Sequence, residues 1–175
     1  MDYLILGFLT GLSLILAIGA QNIFVIEQGL KKQYIFIVCL ICSISDFLLI
    51  FLGIFLFQYL NHFFTPTIEL VFNILLLIFL LHFIWGKIKT KVSETSFDVN
   101  SKTNNLSNII VKTLGFTFLN PHVYSDTVFF LGNFSKSLSQ VDKYYFGAGA
   151  AISSFIFFFI IGYLSKYFSK YLKSA

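Results

Sequence analysis

Apolar and polar residues divide this chain into long blocks. Apolar runs cover residues 3–26, 34–59, 68–85, 109–131 and 144–164. Each is about 18 to 26 residues long, enough to cross a hydrocarbon core of roughly 30 Å. An open strand cannot satisfy its backbone in lipid, so each run is expected to be helical. The first run has neither a basic leading segment nor an A-x-A-like cleavage site, so it does not read as a signal peptide. The only long polar stretch, GKIKTKVSETSFDVNSKTNNLSN at 86–108, reads as a flexible connector. The pattern predicts an all-α integral membrane protein of about five transmembrane helices, in one domain spanning 1–175.

Composition narrows this further. The chain is 57% hydrophobic and 11% charged, against roughly 25% charged in an ordinary soluble domain. Its mean hydropathy is +0.84. The lipid bilayer is therefore the first partner. The net charge of +4 comes from lysine alone and falls in the gaps between runs, which indicates orientation and not nucleic-acid binding. Lys31, Lys32, Lys87, Lys89, Lys91, Lys102, Lys112, Lys166, Lys170 and Lys173 fall on one side of a five-helix chain, and Lys136 and Lys143 on the other. The lysine-rich side should be cytoplasmic, with the N-terminus outside and the C-terminus inside. The tail YLSKYFSKYLKSA alternates aromatics with lysines and reads as an amphipathic interfacial anchor.

Polar residues inside the apolar runs are the candidates for chemistry. Asp46 lies near the middle of the second run and Asp126 in the fourth. An aspartate at a helix centre costs about 2.5 to 3.5 kcal/mol, and such residues mark partners or pathways. No lysine sits near the centre of any run, so the compensating cation is expected to be a substrate, a proton or a metal ion. Cys39, Cys42, Ser43, Asp46 and Gly53 share helical spacing and form a small, polar stripe. The cysteines read as packing residues. His62 and His82 read as interfacial or packing residues and not as metal ligands.

Two segments look discontinuous. In AIGAQNIFVIEQG, Gly19 precedes Ala20, Gln21 and Asn22 after fifteen apolar residues. These residues either free backbone groups for a ligand or cap a helix end. In FLNPHVYSD, Pro121 should break or kink the fourth run after Asn120. His122 and Asp126 are four apart, as on one helical face, where they could share a proton. Paired discontinuous helices in two halves bracket the site of many transporters. No nucleophile elbow, phosphate loop or HExxH is present, which argues against an enzyme.

GLSLILAIGAQNIFVIEQGLKKQY followed by CSISDFLLIFLGIF resembles the N-terminal half of the lysine exporter (LysE) family. FTFLNPHVYSDTVFFLG resembles the matching second-half signature, closest to the lysine and arginine exporter branch. The resemblance implies a bacterial inner-membrane exporter of basic amino acids, without a cofactor. It carries Gln21, Asn22, Asp46, Asn120, Tyr124 and Asp126 over as substrate-binding residues. His122 and Asp126 would couple to protons, and Gly19 and Pro121 would mark the helix breaks. This chain has Ala20 where the family usually has proline. The family usually continues into a sixth hydrophobic segment, whereas this sequence stops at KYFSKYLKSA. That leaves two halves of three and two helices, and the sequence as a fragment, a shortened protein, or one completed by a second copy in a homo-oligomer. The other readings are export of another amino acid, export of a metal cation using Cys39, Cys42, Asp46 and His122, and a truncated membrane protein that does not transport.

Overall fold

The computed structural model describes residues 2–17, 19–60, 74, 105–120 and 123–172. The expected third helix, His62, His82, most of the polar connector, Pro121 and His122 lie outside the described residues. Every regular element among the described residues is helical: α1 (Asp2–Ile15), α2 (Ala20–Lys31), α3 (Ile35–Leu60), α4 (Leu106–Phe118), a π-helix π1 (Tyr124–Phe130), α5 (Leu131–Ser135) and α6 (Gln140–Leu172).

Among the described residues two helices are long and apolar enough to cross a bilayer unaided, over Ile35–Leu56 and Gln140–Lys170. The first apolar run, expected as a single helix, is two. Leu16 N bonds Leu12 O, Ala17 N bonds Leu14 O in a tightened last turn, and the chain then leaves helical geometry. The axes of α1 and α2 differ by 80°, and together they make a third candidate span. The fourth run is also divided. Leu119 caps α4, and helical structure resumes at Val123. α4 starts at Leu106, inside the segment expected as connector.

Glycines set how closely these helices approach. A Cβ on Gly7 would meet the backbone carbonyl of Phe146, one on Gly149 that of Leu4, and one on Gly11 would lie 2.8 Å from Ala150 Cα. Further along, a Cβ on Gly29 would lie 2.5 Å from Gly162 O and 2.7 Å from Ser165 Cβ. Contacts therefore advance along α1, then α2, as they advance along α6, so the broken span runs parallel to α6. α3 runs the opposite way, with Cys39 beside Phe158 and Gly162, and Ile54 beside Gly147. The second broken span runs with α3: Ile109 packs with Cys39 and Phe158, and Leu131 with Ile54 and Phe146. Lys31 and Lys166 accordingly share one end of the bundle, and Lys136 and Lys143 the other.

Two apolar clusters fill the interior. Phe24, Val25, Val38, Cys39, Ile109 and Phe158 pack toward the Lys31 end. Ile50, Ile54, Leu131, Phe146, Ala150 and Ala151 pack toward the opposite end. Outside, Leu9, Phe36, Leu48, Leu52, Val111 and Ile160 are exposed, a surface suited to acyl chains and not to water. The tyrosine and lysine tail differs from the anchor expected of it. It continues α6 without a break to Leu172, with Gly162 and Ser165 against Gly29 and with Ser169 buried. Small residues hold it to α2, while Lys166, Tyr167 and Lys170 stay exposed.

Candidate functional site

The two chain breaks face each other. Gly19 is the N-cap of α2, with extended backbone (φ −103°, ψ 178°) and no side-chain cap. Its Cβ position lies 3.5 Å from Asn120 Nδ2 in the second break. Between them is a cavity of about 60 Å³. Gly19, Gln21 and Asn22 line it from the first break, and Asn120, Asp126 and Thr127 from the second. Asp46 of α3 and Ser154 of α6 complete the polar wall. Ile50, Leu131 and Ala150, from the apolar cluster opposite the Lys31 end, close one side.

Asp46 is 5% exposed, and Ser154 Oγ donates to its Oδ2 at 2.8 Å. Its Oδ1 is buried with no partner among the described residues, as is Gln21 Nε2. Asp126 lies close enough for its charge to act on Asp46. Among the described residues the lining holds two carboxylates and no lysine. An ion pair, Lys31–Glu27 at 2.7 Å, lies at the end of α2, away from this wall.

The two amides of the first break do different work. Asn22 Nδ2 donates to Ile15 O at 2.9 Å and Ala17 O at 3.1 Å, so Asn22 satisfies carbonyls released where α1 ends. Gln21 does not cap, and its amide is left for the cavity. The break forms although Ala20 stands where the family usually has proline. Ala20 is the first residue of α2, and the first intrahelical bond at this end is Ile23 N to Gly19 O.

The second break has a feature the sequence reading did not include. Tyr124–Phe130 is π-helical, and Leu131 N bonds Asp126 O five residues back. π-geometry is rare and recurs at functional sites. Gly53 makes room for it, since a Cβ there would lie 2.7 Å from Val128 Cα and 2.9 Å from Thr127 O. Thr127 Oγ1 bonds Val123 O at 2.7 Å, which steadies the first turn. Asp126 reaches the cavity from this element. Tyr124 is half-buried and is not part of the cavity wall. Cys39 and Cys42 are fully buried free thiols. No group of three His, Cys, Asp or Glu side chains arranged to hold a metal ion occurs among the described residues.

Ser154 and Thr127 are site residues that sequence reasoning missed. The signal for Ser154 was the Ser153-Ser154 pair inside an otherwise apolar run.

Broken spans meeting unbroken ones at a buried polar cavity, with lipid-suited surfaces outside, define a membrane transporter architecture. Residues 12–175 match the LysE type translocator family, and the chain belongs to that family. It is 36% identical over 180 residues to the arginine exporter protein ArgO of Pectobacterium atrosepticum, covering 96% of this chain and 83% of that one. It is 34% identical over 180 residues to the protein of the same name from Klebsiella pneumoniae subsp. pneumoniae, covering 99% and 82%. With that of Salmonella typhimurium it shares 33% over 181 residues, covering 99% and 83%. No solved structure matches the chain.

Proposed function

We propose that this chain exports basic amino acids, arginine and lysine, across the bacterial inner membrane. The observation that carries the reading is that Asp46, with a buried Oδ1 lacking a partner among the described residues, shares an interior cavity with Asp126 that no lysine among those residues lines. A cationic side chain supplies the countercharge for Asp46. Relatives that share a third of their residues and bear the name arginine exporter support that choice of substrate.

The guanidinium or ammonium of the substrate pairs with the two carboxylates. Its carboxylate lies toward the first turn of α2, where uncapped N–H groups and the positive end of the helix dipole favour an anion. The Gln21 amide, beside Asp46 at the same wall, and Asn120 complete its polar contacts. The two apolar clusters act as gates, one toward each end, that part alternately. The cavity as it stands must widen before it admits an amino acid.

One domain of five spans carries this, arranged as two halves of opposite direction, each with a broken span followed by an unbroken one. The Lys31 and Lys166 end faces the cytoplasm, as does the connector. Exporting a cation against an inside-negative potential costs about 2.3 kcal/mol per charge per 100 mV. Proton entry through Asp126, with His122 four residues before it in sequence, offsets that cost. No covalent chemistry and no cofactor is involved. A second copy of the chain could join it in a homo-oligomer.

The test is efflux of radiolabelled arginine and lysine from loaded cells by the chain and by its Asp46→Asn and Asp126→Asn forms. Loss of efflux in both, at equal membrane abundance, is expected. Undiminished efflux from the doubly substituted chain would sink the proposal.

A further inference from the structure

Polar atoms without partners are distributed unevenly about the cavity. On the Lys31 side of Asp46, Gln21, Gln28 and Ser43 are each more than nine-tenths buried. Their Nε2, Oε1 and Oγ atoms respectively have no hydrogen-bond partner among the described residues. Gln33, half-buried at the turn between α2 and α3, also has a buried Oε1 with no partner among the described residues. On the other side the wall is Ile50, Ile54, Leu131 and Phe146, and no such atom occurs there among the described residues.

The orphaned groups fall in line. Gln21 and Gln28 are seven residues apart and share one face of α2, and Ser43 lies one turn before Asp46 on α3. Cys42 sits beside Gln21 and beside Thr117 of α4. Thr113 and Thr117, both fully buried, face inward from α4. Buried donors and acceptors are almost always paired, because leaving them dry is unfavourable. A row of unpaired ones, leading from a carboxylate to one end of a bundle, is what a closed, formerly wet passage leaves.

We propose that substrate reaches Asp46 from the Lys31 end through a passage between α2, α3 and α4, walled by Gln28, Cys42, Ser43, Thr117 and Gln21. The inference rests on the export reading and adds a route to it. Phe24, buried beside the passage, closes it here, and its ring packs on that of the exposed Phe116 of α4 with centroids 4.9 Å apart. Cys39 lies off the passage although it is only one turn from Cys42. Its thiol donates to Phe158 O at 3.2 Å, in the seam between α3 and α6.

The two native cysteines are the probes, since a thiol reacts only where water reaches it as thiolate. Single-cysteine chains (Cys39→Ser and Cys42→Ser) are treated with a membrane-impermeant methanethiosulfonate in sealed vesicles of each orientation. Cys42 is expected to react from the Lys31 face at least about tenfold faster than Cys39, and arginine is expected to slow it. Phe24→Ala should speed it. In a chain lacking both native cysteines, Thr117→Cys should behave as Cys42 does, which keeps the test open if one serine form folds poorly. An inert Cys42, equal reaction of both cysteines, or reaction only from the opposite face overturns the passage. Arginine efflux is read in the same vesicles. Efflux indifferent to Asp46→Asn sinks the export reading and leaves the passage standing on its labelling. Efflux that depends on Asp46, with Cys42 inert, sinks the passage alone.

Discussion

Ser154 Oγ donates a 2.8 Å hydrogen bond to Asp46 Oδ2, joining α6 to α3 across 108 residues of sequence. The bond fixes one carboxylate oxygen and leaves the other, buried and without a partner among the described residues, toward the cavity. Structure and function should therefore separate at this pair. Asp46→Asn keeps an oxygen for Ser154 and removes the charge, so efflux should vanish while unfolding in detergent is unchanged or shifts to higher temperature. Ser154→Ala strands the carboxylate and should destabilise the fold by about 1.5–3 kcal/mol, the usual contribution of a hydrogen bond to a charged group. Equal loss of stability in both forms would contradict this division of roles.

The adjacent amides Gln21 and Asn22 should separate in the same way. Asn22 holds two carbonyls at the end of α1. Asn22→Ala leaves both without their donor, at about 1–3 kcal/mol for each buried group left unsatisfied. Asn22→Asp should be no better, because a carboxylate cannot donate. Gln21 lies beside Asp46 and Cys42, but its Nε2 makes no well-formed hydrogen bond among the described residues. Gln21→Ala should leave the unfolding temperature at or above that of the parent and weaken apparent affinity for arginine. Thermal unfolding and efflux titrations on the four forms decide it.

At the first break, Ala20 occupies the first position of α2, whose N–H has no intrahelical partner, and Gly19 is already extended. Proline is well suited to that position, and the residue before it is suited to extended backbone. Ala20→Pro should therefore be tolerated and should stabilise by about 0.4–1 kcal/mol, by restricting the unfolded chain. Arginine efflux should persist. Loss of folding would mean that the break is not placed as described.

How much of this was legible depends on what each residue does in lipid. Asp46 stood out because a charge inside a long apolar run is costly wherever it points. The two breaks stood out because Gly19, Asn120 and Pro121 interrupt apolar runs that otherwise continue. Ser154 did not stand out, because serines and threonines in apolar helices commonly satisfy themselves on a preceding carbonyl. Ser153, Thr113, Thr117 and Ser165 all do so here. Only packing tells that Ser154 reaches Asp46 instead. The π-helix was invisible because its register depends on Gly53 of another helix admitting the Val128 backbone. The extent of α6 was missed because a lysine and aromatic pattern suits an interfacial helix as well as the last turns of a long one. The small residues Gly162, Ser165 and Ser169 decide between them by packing.

The seam between α1 and α6 leads to the last prediction. A Cβ on Gly7 would fall on the carbonyl of Phe146, with Phe146 Cα at 2.9 Å. These are backbone atoms of a 33-residue helix, so no rotamer change relieves the clash. Gly7→Ala must push α1 away from α6, at about 1–3 kcal/mol for overpacking. α1 also carries Leu14 and Ile15 to the cavity wall, so the displacement should reach the site and reduce efflux as well as stability. Gly115 on α4 is the control. A Cβ there meets nothing within 4 Å, and alanine is the better helix former. Gly115→Ala should therefore stabilise by about 0.5–1 kcal/mol. Opposite signs for the same chemical change, read by equilibrium unfolding in mixed micelles, would place α1 directly on α6. Matching signs would show that the seam is looser than the glycines allow.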